Sequence, residues 1–328
     1  MGDFLVLSGN DLRALMRFED YVEAVAEAFR LLAEGRCRSP APTEIPARDG
    51  TFHVKAGGLP RGAGYVAVKI NGNFPSNRAR HGLPTIQGAV YLADASNGRP
   101  LALLDSAEIT LQRTGAATAV AARYLAREDA TTAAICGCGE QGRIQLTALR
   151  HVLKLRTVFA WDADREVARA FARRMAAETG IAVEAVDELG AATRASDVIA
   201  TCTTAREPFL SVEHVRPGTF VAAVGADNPA KSELEPALMA NATVVADVLE
   251  QALLMGDLHH AVAAGAMTAA DVHAELGRLV SGERPGRRSA DEITIFDSTG
   301  TGIQDVAAAS RAYELALKQG GGLECTLS

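Results

Sequence analysis

The stretch from Thr131 to Asp162, TTAAICGCGEQGRIQLTALRHVLKLRTVFAWD, leaves few folds open to this chain. A short apolar run gives way to Gly137, Gly139 and Gly142. A helical pattern follows, and a second apolar run closes on Asp162, 25 residues after Gly137. A βαβ unit that binds a dinucleotide requires that order. Gly137 permits the tight turn, Gly139 lets backbone approach a pyrophosphate, and Gly142 lets the helix pack close to the strand. The N–H groups that open the helix, at Glu140 and Gln141, would face the phosphates. Asp162 can accept hydrogen bonds from both ribose hydroxyls of NAD and would repel a 2′-phosphate, so NAD is favoured. Arg165 is close enough in sequence to leave NADP open. A glycine-rich turn that binds nothing is the plain alternative.

At 328 residues the chain has room for two cores. Its net charge of -7 offers no basic footprint for nucleic acid or an anionic membrane. No apolar run is long enough to span a bilayer. The N-terminus shows no signal peptide, and Val6 stands where a myristoylation pattern needs Ser or Thr. The five cysteines, an odd number, read as reduced thiols in the cytoplasm. Cys136 and Cys138 lack the usual zinc spacing, so no metal site is expected.

The rhythm changes along the chain. A strand at 4–7 and helices near Asp11–Met16 and Asp20–Glu34 precede a proline-broken extended region, Ser39–Pro46. Apolar runs at Thr51–Ala56, Tyr65–Ile70, Thr85–Ala93 and Pro100–Asp105 are separated by glycine turns, which suggests an antiparallel sheet. An alanine-rich helix, Glu108–Leu125, leads to the glycine turn. Strands then alternate with helices: Val183–Val186, Asp197–Thr203, Thr219–Gly225, Thr243–Asp247 and Glu292–Phe296. A last helix, Gly302–Gln319, could return to the first domain. The expected class is α/β: a Rossmann doubly wound parallel sheet over residues 118–303, plus an α+β domain over 1–117 and 304–328.

Ligands in a doubly wound sheet sit beyond the carboxyl ends of its strands, which singles out Thr203, Val224, Asp227 and Ser298. Asp227 could exchange protons with a substrate amine, or merely cap a turn before Pro229. In the first domain, Lys69 is an isolated cation in an apolar strand. It could bind a carboxylate, act as an acid or base once burial lowers its pKa, or guard a sheet edge. Arg113 suits bidentate carboxylate recognition, with a surface salt bridge as its bland alternative. His53 and Lys55 alternate on one strand and share a face, where they could join the site or be solvated.

Taken together, the motifs VKINGNFP, GLPTIQG, RTGAATAVAARYLA, GCGEQG, VGADNPAKSELE and ITIFDSTGTGIQDVA resemble the ornithine cyclodeaminase/mu-crystallin family over nearly the whole chain. The last two look most like its archaeal alanine dehydrogenase branch. The resemblance implies a homodimer pairing a substrate and dimerisation domain with a Rossmann domain. It implies an NAD-dependent enzyme that exchanges a hydride with the α-carbon of a small L-amino acid through an α-imino acid. Lys69 and Arg113 would then grip the carboxylate and Asp227 would serve the amine. Ornithine cyclodeamination and mu-crystallin-like binding are the alternatives. The family also places an arginine on an early strand, and the nearest residues here are His53, Lys55 and Arg48.

Overall fold

The structure is a computed structural model that describes residues 4–326; Gly2, where a myristoyl group would attach, lies outside them. The chain divides into two compact units. One comprises the residues up to Ala116 with those from Thr301 onward, the other Ala117–Gly300.

The first unit opens with β1 (Phe4–Leu7), α1 (Gly9–Leu15) and α2 (Phe18–Ala33). α1 starts before the expected Asp11 because Ser8 caps it. The Ser8 hydroxyl accepts the Asp11 N–H at 3.3 Å, and the Asp11 carboxylate accepts the Ser8 N–H at 2.8 Å. α2 begins ahead of Asp20, whose carboxylate accepts the Arg17 N–H at 3.0 Å and a guanidinium bond from Arg311 at 2.7 Å. Val22, Val25 and Phe29 are buried on its inner face. Then come β2 (Thr43–Ala47), β3 (Gly50–Leu59), β4 (Tyr65–Asn73), α3 (Asn77–His81), β5 (Ile86–Asp94), β6 (Pro100–Asp105) and α4 (Ser106–Leu125), which runs on into the second unit. The extended region Ser39–Pro46 thus contains a strand, tolerated at the sheet edge because Pro46 owes no ladder N–H there.

The second unit contains β7 (Thr132–Cys136), α5 (Glu140–Val152), β8 (Thr157–Trp161), α6 (Arg165–Thr179), β9 (Ala182–Ala185), α7 (Leu189–Arg194), β10 (Val198–Thr201), β11 (Phe220–Ala223), α8 (Pro236–Ala240), β12 (Thr243–Ala246), α9 (Leu249–Ala252), α10 (Asp257–Ala263), β13 (Ala274–Glu275), α11 (Leu276–Val280) and β14 (Thr294–Asp297). Its eight strands pair in the order β13-β12-β14-β11-β10-β7-β8-β9, every pair parallel. The winding direction reverses between β7 and β10, the switch point at which such sheets open a crevice. Ile199, Val221, Val244 and Ile295 fill the sheet's core with no exposed surface. β10 is shorter than the expected Asp197–Thr203 because Thr203 leaves the ladder to bond a buried carboxylate, described below.

The chain returns to the first unit through α12 (Gly302–Gln319) and β15 (Leu323–Cys325). That unit's sheet has the order β15-β1-β6-β5-β4-β3-β2. The turn-separated runs β3 to β6 pair antiparallel as expected, and β1 joins β6 in parallel. β15 lies beyond the Gly320-Gly321-Gly322 run and pairs with β1. α12 packs on the face bearing Ala67, Lys69 and Asn71 of β4. Val66 and Ile70 of β4 and Leu103 of β6 stay exposed on the opposite face. Among the described residues no helix is long and apolar enough to cross a membrane.

Candidate active site

The glycine turn between β7 and α5 has three positions with three different constraints. Gly137 adopts φ +101°, and a Cβ there would stand 2.8 Å from the Cys202 carbonyl oxygen, so only glycine fits. Gly142, in the first turn of α5, would press a Cβ onto the Gly137 carbonyl oxygen. Gly139, the N-cap of α5, has nothing within 4 Å of where a Cβ would be. The open side of Gly139 therefore faces space in which a ligand can lie against backbone, beside N–H groups that the helix cannot satisfy itself.

That space is a cleft of about 460 Å³ lined by Gly137, Gly139, Asp162 and Thr203, with Trp161 and Phe209 among its other walls. The two rings stack at 5.4 Å between centroids. Asp162 is oriented by backbone: Oδ2 accepts the Cys138 N–H at 2.8 Å and Oδ1 the Asp164 N–H at 3.0 Å. Arg165 pairs with Asp187 at 3.3 Å and does not line the cleft, whose charged lining residues are Asp162 and Glu207. These residues fit an adenosine ribose and pyrophosphate.

The other sequence-derived cofactor candidates do not line this cleft. Glu140 is exposed and ion-paired to Arg143 at 2.9 Å. Gln141 keeps a buried amide oxygen without a partner. Val224 and Ser298 are buried beyond the carboxyl ends of β11 and β14, and their N–H groups bond the carbonyls of Thr201 and Ala223. Asp227 is half exposed, and its Oδ1 accepts a bond from Lys231 Nζ at 2.7 Å.

The first unit brings together a second constellation. Lys69 sits on β4, inside the sheet, with 3% of its surface exposed, so it guards no edge. Its Nζ lies 2.9 Å from both carboxylate oxygens of Asp305 and donates to the Thr110 hydroxyl at 3.1 Å. Arg113, 4% exposed, donates Nε to Asp305 at 3.1 Å and Nη1 to Gln304 at 2.7 Å. The arginine is therefore no surface salt bridge.

The approach of α12 to β3 brings Asp305 and Gln304 there. A Cβ on Gly57 would stand 2.7 Å from the Gly302 carbonyl carbon, and one on Gly302 would collide with Ala56 backbone. Two glycines let the helix start touch the strand, and the first turn of α12 then reaches Lys69.

Burial pushes the Lys69 ammonium down to about 7, and Arg113 and Lys55 push the same way, outweighing the pull of Asp305. Asp305 is held below the usual carboxylate range by Lys69 and Arg113 even though burial opposes it. Lys55 lies directly across from Lys69 on β3 and His53 across from Asn71. Both are half-buried on the Lys69 face, and His53 Nδ1 lies 3.2 Å from Glu44. Arg48 is exposed in the β2–β3 turn.

Asp305, Gln304, Glu233 and Asp297 lie within the family motifs, but nothing in their sequence setting singles them out as buried polar groups, and Asp257 lies outside those motifs. Burial pushes Glu233 up to about 7 and Asp257 up to about 6, with Asp257 adding to the shift at Glu233. Among the described residues no group of side chains could hold a metal ion.

The sequence model of the ornithine cyclodeaminase/mu-crystallin family matches residues 3–320. An alanine dehydrogenase from Archaeoglobus fulgidus is 38% identical over 318 residues, 97% of each chain. Among solved structures, an archaeal alanine dehydrogenase dimer with bound NAD superposes with a TM-score of 0.95 at 36% identity, covering all of both chains. The Δ1-pyrroline-2-carboxylate reductase of Thermococcus litoralis, in complex with NADH and L-proline, gives 0.92 at 34% identity over 97% of this chain and 99% of its own.

Proposed function

The chain belongs to the ornithine cyclodeaminase/mu-crystallin family, and on that premise we propose that it is an NAD-dependent enzyme exchanging a hydride with the α-carbon of a small L-amino acid through an α-imino acid. The observation that carries this reading is the buried group of Lys69, Arg113 and Asp305, two cations on one carboxylate. A buried excess of positive charge is costly until an anion joins it, and a substrate carboxylate is such an anion.

NAD bound in the cleft supplies the hydride acceptor or donor. Lys69 and Arg113 hold the substrate carboxylate, and the planar guanidinium, fixed by Gln304 and Asp305, orients it. Asp227 exchanges protons with the substrate amine, its carboxylate kept company by Lys231. His53 and Lys55 stand where a substrate side chain or second carboxylate oxygen would reach, on the same sheet face as Lys69. Asp162 favours NAD over NADP by repelling a 2′-phosphate.

A homodimer is part of the reading. The apolar face around Val66, Ile70 and Leu103 is open in the single chain, and the archaeal neighbour is a dimer. Five free thiols suit a reducing, cytoplasmic setting.

The test is to give purified protein NAD with L-alanine or L-ornithine separately and to record NADH absorbance and free ammonia in one tube. Ammonia matched by NADH establishes amino-acid dehydrogenation. Ammonia from ornithine without net NADH means that the hydride returned and the enzyme is a cyclodeaminase. Neither signal, followed by NADH oxidation with a cyclic imine, makes it an imine reductase. Inertness towards all of these overturns the catalytic reading in favour of a binding protein.

A further inference from the structure

We propose that Glu233 is the positioning residue of the dinucleotide cleft: from a fully buried place behind it, Glu233 holds both the strand end that carries Thr203 and the segment that carries Phe209. The inference rests on reading the cleft as the NAD site. Thr203 and Phe209 both line that cleft.

Four donors converge on the Glu233 carboxylate. Oε1 accepts the Thr203 N–H at 2.6 Å and the Thr203 hydroxyl at 2.7 Å. Oε2 accepts the Thr201 hydroxyl at 2.7 Å and the Gly225 N–H at 2.9 Å. The side chain thus ties the end of β10 to the turn after β11. A Cβ at position 225 would press on this carboxylate, so glycine there leaves the space that Glu233 fills. The main chain of Glu233 does the same for the opposite wall. Its carbonyl accepts the N–H groups of Phe209 at 2.9 Å and Leu210 at 3.0 Å, and Phe209 stacks on Trp161. The Glu233 N–H in turn donates to Asp257 at 2.7 Å, which fastens the segment to the start of α10.

Such convergence is more than packing requires. A buried carboxylate is costly to keep, and an apolar side chain would fill the volume without that cost. What the carboxylate adds is direction: two of its bonds fix Thr203 at the cleft wall, and the other two hold the Thr201 hydroxyl and the Gly225 N–H behind it. Glutamine at 233 keeps the shape, but its amide nitrogen would face donors with a donor. Valine at 201 removes one of the four bonds without altering a residue that lines the cleft, and serine there restores the hydroxyl.

Trp161 is the single tryptophan of the chain and lines the cleft, so its fluorescence reports cofactor entry without turnover. NAD is titrated into the parent, E233Q, T201V and T201S proteins, with a thermal melt of each. The expected result is an NAD Kd raised about tenfold in E233Q and about threefold in T201V, the scale of losing charge-assisted hydrogen bonds, with T201S close to the parent. Parent-like affinity in T201V, or in a folded E233Q, overturns the proposal. Should E233Q fail to fold, T201V against T201S decides, and equal affinities in that pair overturn it. A parent protein whose Trp161 emission ignores NAD overturns the cleft reading, and this inference with it.

Discussion

Replacing Asp305 by Asn removes the one carboxylate that both Lys69 and Arg113 touch, at 2.9 and 3.1 Å, while keeping the side chain's size. Lys69 stands at about 7 because burial outweighs the pull of Asp305. Losing an opposite charge in direct contact moves a pKa by about one to three units, and the smallest of these shifts takes Lys69 to about 6. The protonated fraction at pH 8 then falls from about a tenth to about a hundredth, but at pH 6 only from about nine-tenths to about a half. If the ammonium form grips the substrate carboxylate, KM for the amino acid rises about tenfold at pH 8 and about twofold at pH 6. The assay is the initial rate of NADH formation against amino-acid concentration, for parent and D305N, from pH 6 to pH 9. A KM ratio that stays flat across that range refutes the argument and leaves Asp305 with a packing role only.

Four further outcomes follow from the geometry. In the glycine turn, G139A should keep the parent melting temperature and lose NAD affinity at least about tenfold, because its Cβ enters only open cleft. G142A should instead cost stability, about 1–3 kcal/mol by overpacking against the Gly137 carbonyl, seen in a denaturant titration. D162S should raise the ratio of NADP to NAD affinity about tenfold or more, since a 2′-phosphate no longer meets a carboxylate; an unchanged ratio in paired cofactor titrations removes Asp162 from the specificity argument. Glu292 is held at about 2, since bonds from the Arg288 N–H, the Thr243 hydroxyl and the Arg288 guanidinium overcome its burial. Its stabilisation is present above the ordinary carboxylate range and is lost as pH falls through 2, so E292Q should melt below the parent at pH 7 and converge on it near pH 2.

The sequence made the nucleotide unit legible because its signals are local. Gly142 answers to Gly137 within the same turn and Gly137 to the strand end beside it, while Gly139 borders open space. Lys69 and Arg113 were legible as cations out of place. Asp305 was not, since its partners lie 236 and 192 residues away and a carboxylate in the first turn of a helix ordinarily faces water. Glu233 was hidden for the same reason: the segment that carries it reads as a polar loop, and its place at the cleft rests on bonds to Thr203 and Phe209, 30 and 24 residues away, and on the parallel bridge between Leu210 and Leu234. β15 was not legible because it is only three residues long and follows three glycines; Gly322, at φ +80°, precedes its pairing with β1.

The two buried polar clusters satisfy their charges in opposite ways, and the difference bears on what each can do. In the nucleotide unit the Glu233 carboxylate is met by four donors from its own chain. Those bonds join the end of β10 to the turn after β11, so the cluster suits a brace. In the first unit the acids fall short: Asp305 is shared between Lys69 and Arg113, and Lys55 adds to the field on both Lys69 and Asp305. Burial drives Lys69 towards its neutral form, which limits the cost of the missing anion. A carboxylate arriving beside it reverses that shift, so binding substrate should take up a proton at pH values above 7. Proton uptake can be read directly, from the dependence of calorimetric binding enthalpy on the ionisation enthalpy of the buffer, with an unreactive carboxylate analogue as ligand. Uptake between pH 7 and pH 9 that disappears in Lys69→Met would tie the incomplete charge balance to substrate capture. Binding with no proton exchange would mean that Lys69 is already a cation in the free protein, and the argument from burial would fail.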